Sequence, residues 1–346
     1  MERPATEAPG EVDKARQRVL SYYRHLFPGL SQQKLDGEKA EAGTADSLEA
    51  VPTVALDPAF DLSPEAVGKG WTSQPQEFDY ELEVEGELPA ELHGTLFRNG
   101  PGLLDVYGTP LVHPIDGDGM VCAIKFAEGK AHFRSKYVKT TGYMMEKKAQ
   151  KLIFKGMMGT KPSPTWGEAL SEWKEDVMKS KLPGQRFKNP ANTNVYYWGG
   201  KLLATWESGL PYLLDPATLE TKGKDTLNGA LNDSHCLAAH FRYDAATDRL
   251  VNFSFQLAMS GKCKLFIYEF DKDWKLLSKQ IHSFESYYYC HDFLLTENYY
   301  IFHQTPFYKL SRTNVAKIIS GAYAPGQLMR YYPGESNAWR FPCNPN

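Results

Sequence analysis

Two histidines carry most of the chemistry that this sequence can do. His240 sits in Leu237-Ala-Ala-His-Phe-Arg-Tyr-Asp244, and His291 sits in Tyr287-Tyr-Tyr-Cys-His-Asp-Phe-Leu-Leu295, fifty-one positions later. Both stretches are apolar and aromatic and read as strands. Each is followed by a turn, Ala245-Ala-Thr-Asp248 or Thr296-Glu-Asn298, and then by a return strand. A polar ring buried in a strand must find a partner, and histidine is the commonest protein metal ligand. A separation of about 40–50 residues is the size of one β-propeller blade, and equivalent positions on successive blades face one central axis. The spacing therefore predicts that His240 and His291 ligate one metal on that axis. A buried histidine bonded to backbone is the plainer alternative at either position. Glu207, at a strand end thirty-three positions before His240, is the carboxylate expected to fix the far ring nitrogen of His240. The other histidines are weaker candidates: His235 lies in a polar loop, His303 at a strand end and His113 before Pro114, while His25, His93, His132 and His282 read as surface or structural.

The elements that would position these residues read as β. Gly94-Thr-Leu-Phe-Arg-Asn-Gly-Pro runs from strand into turn, residues 80–86 and 132–140 alternate, and Gly199-Gly200 is a two-residue hairpin turn between two strands. Hairpins follow over 237–257, 264–283 and 287–303. Many short strands without a βαβ rhythm mean an all-β sandwich, barrel or propeller, and the histidine spacing favours the propeller. Asp116-Gly-Asp-Gly119 has the look of a calcium loop but lacks its remaining ligands, so a hairpin turn before Met120 is expected. Residues 145–188 interrupt the strands. Within them Trp166, Leu170, Trp173, Val177 and Leu182 share a helical face. With Leu152-Ile-Phe154 and Met157-Met158, this insertion either caps the β body or dips into a lipid surface.

Composition narrows the class. The chain has 346 residues, of which 42% are hydrophobic and 13% aromatic, enough for a large core. A net charge of −3 gives no sign of a nucleic-acid partner. No apolar run is long enough for a transmembrane helix. Five cysteines without CxxC spacing read as thiols in a reducing compartment. Residues 13–27 have a helical period with Lys14, Arg16, Arg18 and Arg24 on the opposite face, ended by Pro28. This segment is either a helix packed on the body or an amphipathic membrane-surface helix. Residues 31–70 read as a polar linker, so 1–70 stands apart from a β body over 71–346.

These motifs together resemble the carotenoid cleavage oxygenases, a family that includes apocarotenoid oxygenases and the retinoid isomerase. The resemblance rests on Gly94-Thr-Leu-Phe-Arg-Asn-Gly-Pro, His113-Pro-Ile-Asp-Gly-Asp-Gly-Met120, Phe133-Arg-Ser-Lys-Tyr-Val-Lys-Thr140, residues 189–209, Leu214-Asp-Pro-Ala-Thr-Leu-Glu-Thr221, Ala239-His-Phe-Arg-Tyr-Asp244 and the His291-Asp-Phe stretch, in family order over 78–333. It implies a seven-bladed propeller with a helical cap, and an axial Fe(2+) held by four histidines with glutamates behind them. His240 would match the first ligand, His291 the second, and Glu207 the carboxylate behind the first. It also implies the insertion of O₂ across one double bond of a carotenoid or apocarotenoid, releasing two carbonyl products. A carboxylate such as Asp292 as a direct ligand would instead give a two-histidine, one-carboxylate site.

In that family the third histidine lies on a later blade, and here Gly334 stands where it is expected, ahead of Ser336-Asn-Ala-Trp339. The resemblance thus implies a fragment of about four to five blades with an exposed edge strand, weak iron binding and little activity on its own. A non-catalytic carotenoid-binding or interaction protein on the same scaffold is the rival reading. Substrate logic places the protein in a plastid or chloroplast if the source is photosynthetic and eukaryotic, and otherwise in the cytoplasm or at a membrane periphery.

Overall fold

The structure, a computed structural model, describes residues 72–160, 187–232, 236–257, 262–285, 287–288, 290–304, 309–310, 312–319, 323–328 and 337–343. Every described element lies within one compact unit, Ser73–Asn346. The helix expected over 13–27, the linker over 31–70 and the helix over 166–182 fall outside the described residues.

The body is mostly β. Its first sheet holds β1 (Phe78–Glu81) and β2 (Gly94–Leu103). A short ribbon of β3 (Asp105–Val106) and β4 (Thr109–Pro110) intervenes before β5 (Asp118–Ala127) and β6 (Lys130–Tyr137) complete the sheet, in the order β1-β6-β5-β2. Helix α1 (Thr141–Ala149) follows, with the Thr140 hydroxyl accepting from the Tyr143 N–H as its cap. The second sheet is a meander of β7 (Asn194–Trp198), β8 (Lys201–Thr205), β9 (Tyr212–Leu214) and β10 (Thr221–Lys224). The third is a meander of β11 (Arg242–Asp244), β12 (Arg249–Leu257), β13 (Cys263–Phe270) and β14 (Leu276–Phe284). Then come β15 (Tyr287–Tyr288), β16 (Phe293–Leu295), β17 (Tyr299–Gln304), β18 (Lys309–Leu310), helix α2 (Arg312–Ile319) and β19 (Asn337–Pro342). Strands β16, β17 and β19 form a three-stranded sheet, and β15 pairs with β18.

The inner strands β8 and β13 bury both faces, and their two-residue period shows how. In β8, Leu202 and Ala204 join Val121, Ala123 and Val138 of the first sheet's side, while Leu203 turns to Phe241, Phe270 and Trp274. In β13, Phe266, Tyr268 and Phe270 enter that second core, and Leu265 and Ile267 enter a third one with Phe293, Tyr300 and Phe302. Strands with two buried faces are continuously apolar rather than alternating. Edge strands of neighbouring sheets lie side by side, β2 along β7 and β11 along β16. The edge that bears the histidines is therefore shared between sheets.

Three details differ from the sequence reading. The strand at 80–86 is confined to Phe78–Glu81. Asp116-Gly-Asp-Gly119 is no hairpin turn: Asp116 ends a 3₁₀ turn and Asp118 begins β5. Leu152 and Met158 are buried, which removes them from any lipid-facing surface.

The Gly199-Gly200 hairpin is present, with φ of +52° and +73°. A Cβ at Gly199 would stand 2.3 Å from the Lys272 carbonyl oxygen and 2.8 Å from Trp274 Nε1. Gly199→Ala is therefore expected to destabilise the fold by at least about 1–2 kcal/mol, the cost of a left-handed backbone with Cβ. A fall in the urea midpoint at unchanged slope would register it.

Candidate metal centre

Each histidine lies two positions ahead of the first strand of its sheet, His240 before β11 and His291 before β16. Neither is inside a strand. The segment 237–241 is held by other means. Buried Asn252 accepts from the Ala238 N–H and donates to the carbonyls of Ala238 and His240, at 3.1, 3.0 and 2.9 Å. The Thr205 hydroxyl, at the end of β8, donates to the Ala239 carbonyl at 3.0 Å. On the other side, Cys290 Sγ lies 3.3 Å from the His303 carbonyl.

The two rings meet. Nε2 of His240 and Nε2 of His291 are 2.9 Å apart, with the ring planes at 68°. The second nitrogen of each ring has its own partner. Asn194 Nδ2 is 3.1 Å from Nδ1 of His240. Glu207 Oε1 is in close contact with Nδ1 of His291. Glu207 thus stands behind His291, not behind His240 as the linear spacing implied. Residue counting cannot say which of two touching rings a carboxylate in the turn after β8 will reach.

Electrostatics separate the pair. The Glu207 hydrogen bond holds the His291 pKa above the ordinary imidazole value, against partial burial. Burial pulls His240 below it, against the Asp292 charge. Asp292 is engaged elsewhere: Oδ2 takes a 2.5 Å hydrogen bond from Arg242, and Oδ1 accepts from the Phe293 N–H. This ion pair bolts β11 to β16 two positions beyond His240 and one beyond His291, and it occupies the carboxylate that would have made a direct ligand. Sequence reasoning missed it, although opposite charges next to both histidines were the available signal.

Of the other histidines, His113 Nδ1 accepts from the Ile115 N–H as a cap, His132 pairs with Asp79 at 2.6 Å, and the ring of His282 lies on that of Phe341. His25 and His235 lie outside the described residues. Among the described residues, no group of three or more His, Cys, Asp or Glu is placed to hold a metal. The two imidazoles nevertheless fit a metal as a pair. Nitrogen ligands about 2.1 Å from a metal and at right angles to each other would stand about 3.0 Å apart.

The family description "Retinal pigment epithelial membrane protein" (RPE65) matches residues 71–339. The chain belongs to this family. It is the carotenoid cleavage oxygenase family indicated by the sequence motifs. Among its curated members, the apocarotenoid-15,15'-oxygenase of Synechocystis is 40% identical over 279 residues, covering 78% of this chain and 53% of that protein. The lignostilbene-alpha,beta-dioxygenase isozyme III of Sphingomonas paucimobilis is 35% identical over 233 residues, covering 65% of this chain and 43% of that protein. A solved structure of cobalt-substituted Synechocystis apocarotenoid oxygenase superposes with a TM-score of 0.70 at 38% identity, over 80% of this chain and 56% of that one. The chain spans about half the length of the curated relatives it matches.

Proposed function

We propose that the chain carries part of the metal centre of an oxygenase that cleaves a carbon–carbon double bond of a carotenoid or apocarotenoid. The observation that carries this reading is the convergence of His240 and His291 on one point, 2.9 Å apart at Nε2, with Glu207 behind one ring. The relatives support the reaction class, being named for oxygenation of apocarotenoid, carotenoid, isoeugenol, resveratrol and lignostilbene substrates. The 40% identity to the apocarotenoid enzyme favours a polyene among these.

In this reading the metal is Fe(2+). When bound, it supplies the position at which O₂ meets the double bond. One oxygen atom goes to each alkene carbon, giving two carbonyl products with no external reductant. The chain's own residues do the rest. Glu207 accepts a hydrogen bond from Nδ1–H of His291 and so directs Nε2 to the metal. The Arg242–Asp292 pair holds the two histidine-bearing segments in register without adding a net charge. Inner strands that bury both faces and edge strands that adjoin those of the next sheet fit a seven-bladed propeller, and this architecture is part of the proposal. Peripheral contact with a carotenoid-bearing membrane, plastid or bacterial, follows from the insolubility of the substrate.

The test supplies the purified protein with Fe(2+), O₂ and an apocarotenoid and assays aldehyde products by chromatography. A low yield of two carbonyl products, each labelled from ¹⁸O₂, is expected, because the chain supplies only part of the centre. Saturable polyene binding without product would favour the non-catalytic carotenoid-binding reading instead.

A further inference from the structure

Ahead of β11 the backbone around His240 is held mainly by side chains. The β11–β12 ladder ends at the pair Arg242 and Val251. Asn252, the next residue of β12, is fully buried and turns its carboxamide on the segment that the ladder leaves unpaired. Its Oδ1 accepts from the Ala238 N–H at 3.1 Å, a donor that also reaches the Phe253 carbonyl at 2.7 Å. Its Nδ2 donates to the carbonyls of Ala238 at 3.0 Å and of His240 at 2.9 Å. One orientation of the carboxamide makes these three bonds, because the reverse one would set NH₂ against N–H and oxygen against two carbonyls. The carbonyl between them, that of Ala239, takes a bond from the buried Thr205 hydroxyl at 3.0 Å. The next N–H, that of Phe241, donates to the Tyr196 hydroxyl at 3.0 Å. Side chains from β7, β8 and β12 thus clamp residues 238–241.

A clamp of this kind acts on the imidazole through the backbone. Nε2 of His240 lies at the far end of its ring from Cα, so a tilt of the peptide at 240 is carried into a displacement of that nitrogen. Metal–ligand distances tolerate only about 0.2 Å, and a site whose supporting groups are loose loses its geometry before the fold fails. The bonds of Asn252 end on the main chain of Ala238 and His240, not on either ring. We propose that Asn252, seconded by Thr205, is a positioning residue that sets where Nε2 of His240 stands, and with it the affinity of the histidine pair for a divalent metal. The proposal rests on the metal reading above and adds to it the residue that aims one of the two nitrogens.

Asn252→Leu keeps the branched shape, adds no charge and gives up the three bonds, and Thr205→Val does the same for the hydroxyl. Cobalt(II) titration followed by visible absorption is expected to show about tenfold weaker binding to Asn252→Leu, the low end of what an outer partner is worth to a metal, and a smaller fall for Thr205→Val. In a His240→Ala background, Asn252→Leu is expected to lower the urea midpoint as much as before but to cost no further cobalt affinity. A merely structural role predicts a lower midpoint with cobalt affinity unchanged, and that result would overturn the proposal. So would an equal fall in affinity with and without His240. A second readout needs no metal: in the metal-free proteins the ring ¹H–¹³C signals of His240 are expected to shift in Asn252→Leu while those of His132 and His282 stay. Should Asn252→Leu fail to fold, Thr205→Val decides by the same two readouts, and wild-type cobalt binding with an unmoved His240 signal would overturn the proposal. Absence of saturable cobalt binding by the wild type would show that the metal reading itself had failed. The His240 signal would then decide alone, a shift supporting the positioning role and an unmoved signal overturning it.

Discussion

His291→Ala is expected to lower affinity for divalent metal by more than about 100-fold while leaving the fold intact. The ring supplies a nitrogen lone pair whose direction Glu207 fixes through Nδ1. Loss of an outer partner such as Glu207 is worth about 10–100-fold, so Glu207→Gln should fall in that range and loss of the ligand itself beyond it. The His291 side chain is 49% exposed, and Glu207 keeps solvent access at 25%. No apolar core is opened, so the thermal midpoint should move by no more than a surface substitution, about 0.5 kcal/mol. The order of effects is the informative part. Cobalt titration of wild type, Glu207→Gln and His291→Ala should give three separated affinities. If Glu207→Gln and His291→Ala both bound as wild type does, the pair would be a hydrogen-bonded structural contact and the proposed centre would have to lie elsewhere.

The strands were legible wherever a turn had its own chemistry. Gly199-Gly200 fixed one hairpin and Thr296-Glu-Asn298 another, the latter closed by the Thr296 hydroxyl on the Tyr299 N–H. The strand placement of the histidines was misread for a physical reason. Leu237, Ala238, Ala239 and Phe241 are buried by packing between sheets, so the run is as apolar as a strand, while Asn252, Thr205 and isolated backbone bonds to Gly209 and Phe253 stand in for a continuous ladder. Helix α1 was missed because Thr-Gly-Tyr-Met-Met is a poor helix start by propensity, and its Thr140 cap is a one-residue signal. At the site, the spacing of the two histidines carried the convergence. Asn194 carried no chemical signal of its own, since its 3.1 Å approach to His240 exists only after β7 has formed.

Lys188→Met is expected to cost roughly 3–5 kcal/mol of stability at pH 8, a large share of what a domain has. Lys188 is buried, with Nζ 2.6 Å from Asp118 Oδ2 and 2.5 Å from Glu146 Oε2. The methionine would leave two buried carboxylates without a cation. Asp118 already shows the strain of burial, with its pKa pushed up to about 6 against the pull of Lys188, and its Oδ1 has no hydrogen-bond partner. The sign of the pH dependence follows. A carboxyl whose folded pKa lies above its ordinary 3.8 binds its proton more tightly when folded, so its burial costs nothing at low pH and destabilises as pH rises from 3.8 through 6. Removing Lys188 raises that pKa further, so the share of the loss that comes from Asp118 should be smaller at pH 5 than at pH 8, while Glu146 loses its cation at both. Urea unfolding at the two pH values measures it, and Asp118→Asn in the Lys188→Met background should recover part of the loss at pH 8. Equal losses at pH 5 and pH 8 would mean that the packing of the lysine stem or the charge of Glu146, not that of Asp118, explains the effect. The position of Lys188 extends the consequence beyond stability. It begins the run 188–193 that leads into β7, and Asn189, Asn192 and Asn194 follow at once. A chain freed at Lys188 loosens the strand edge from which Asn194 reaches His240, 3.1 Å from its Nδ1.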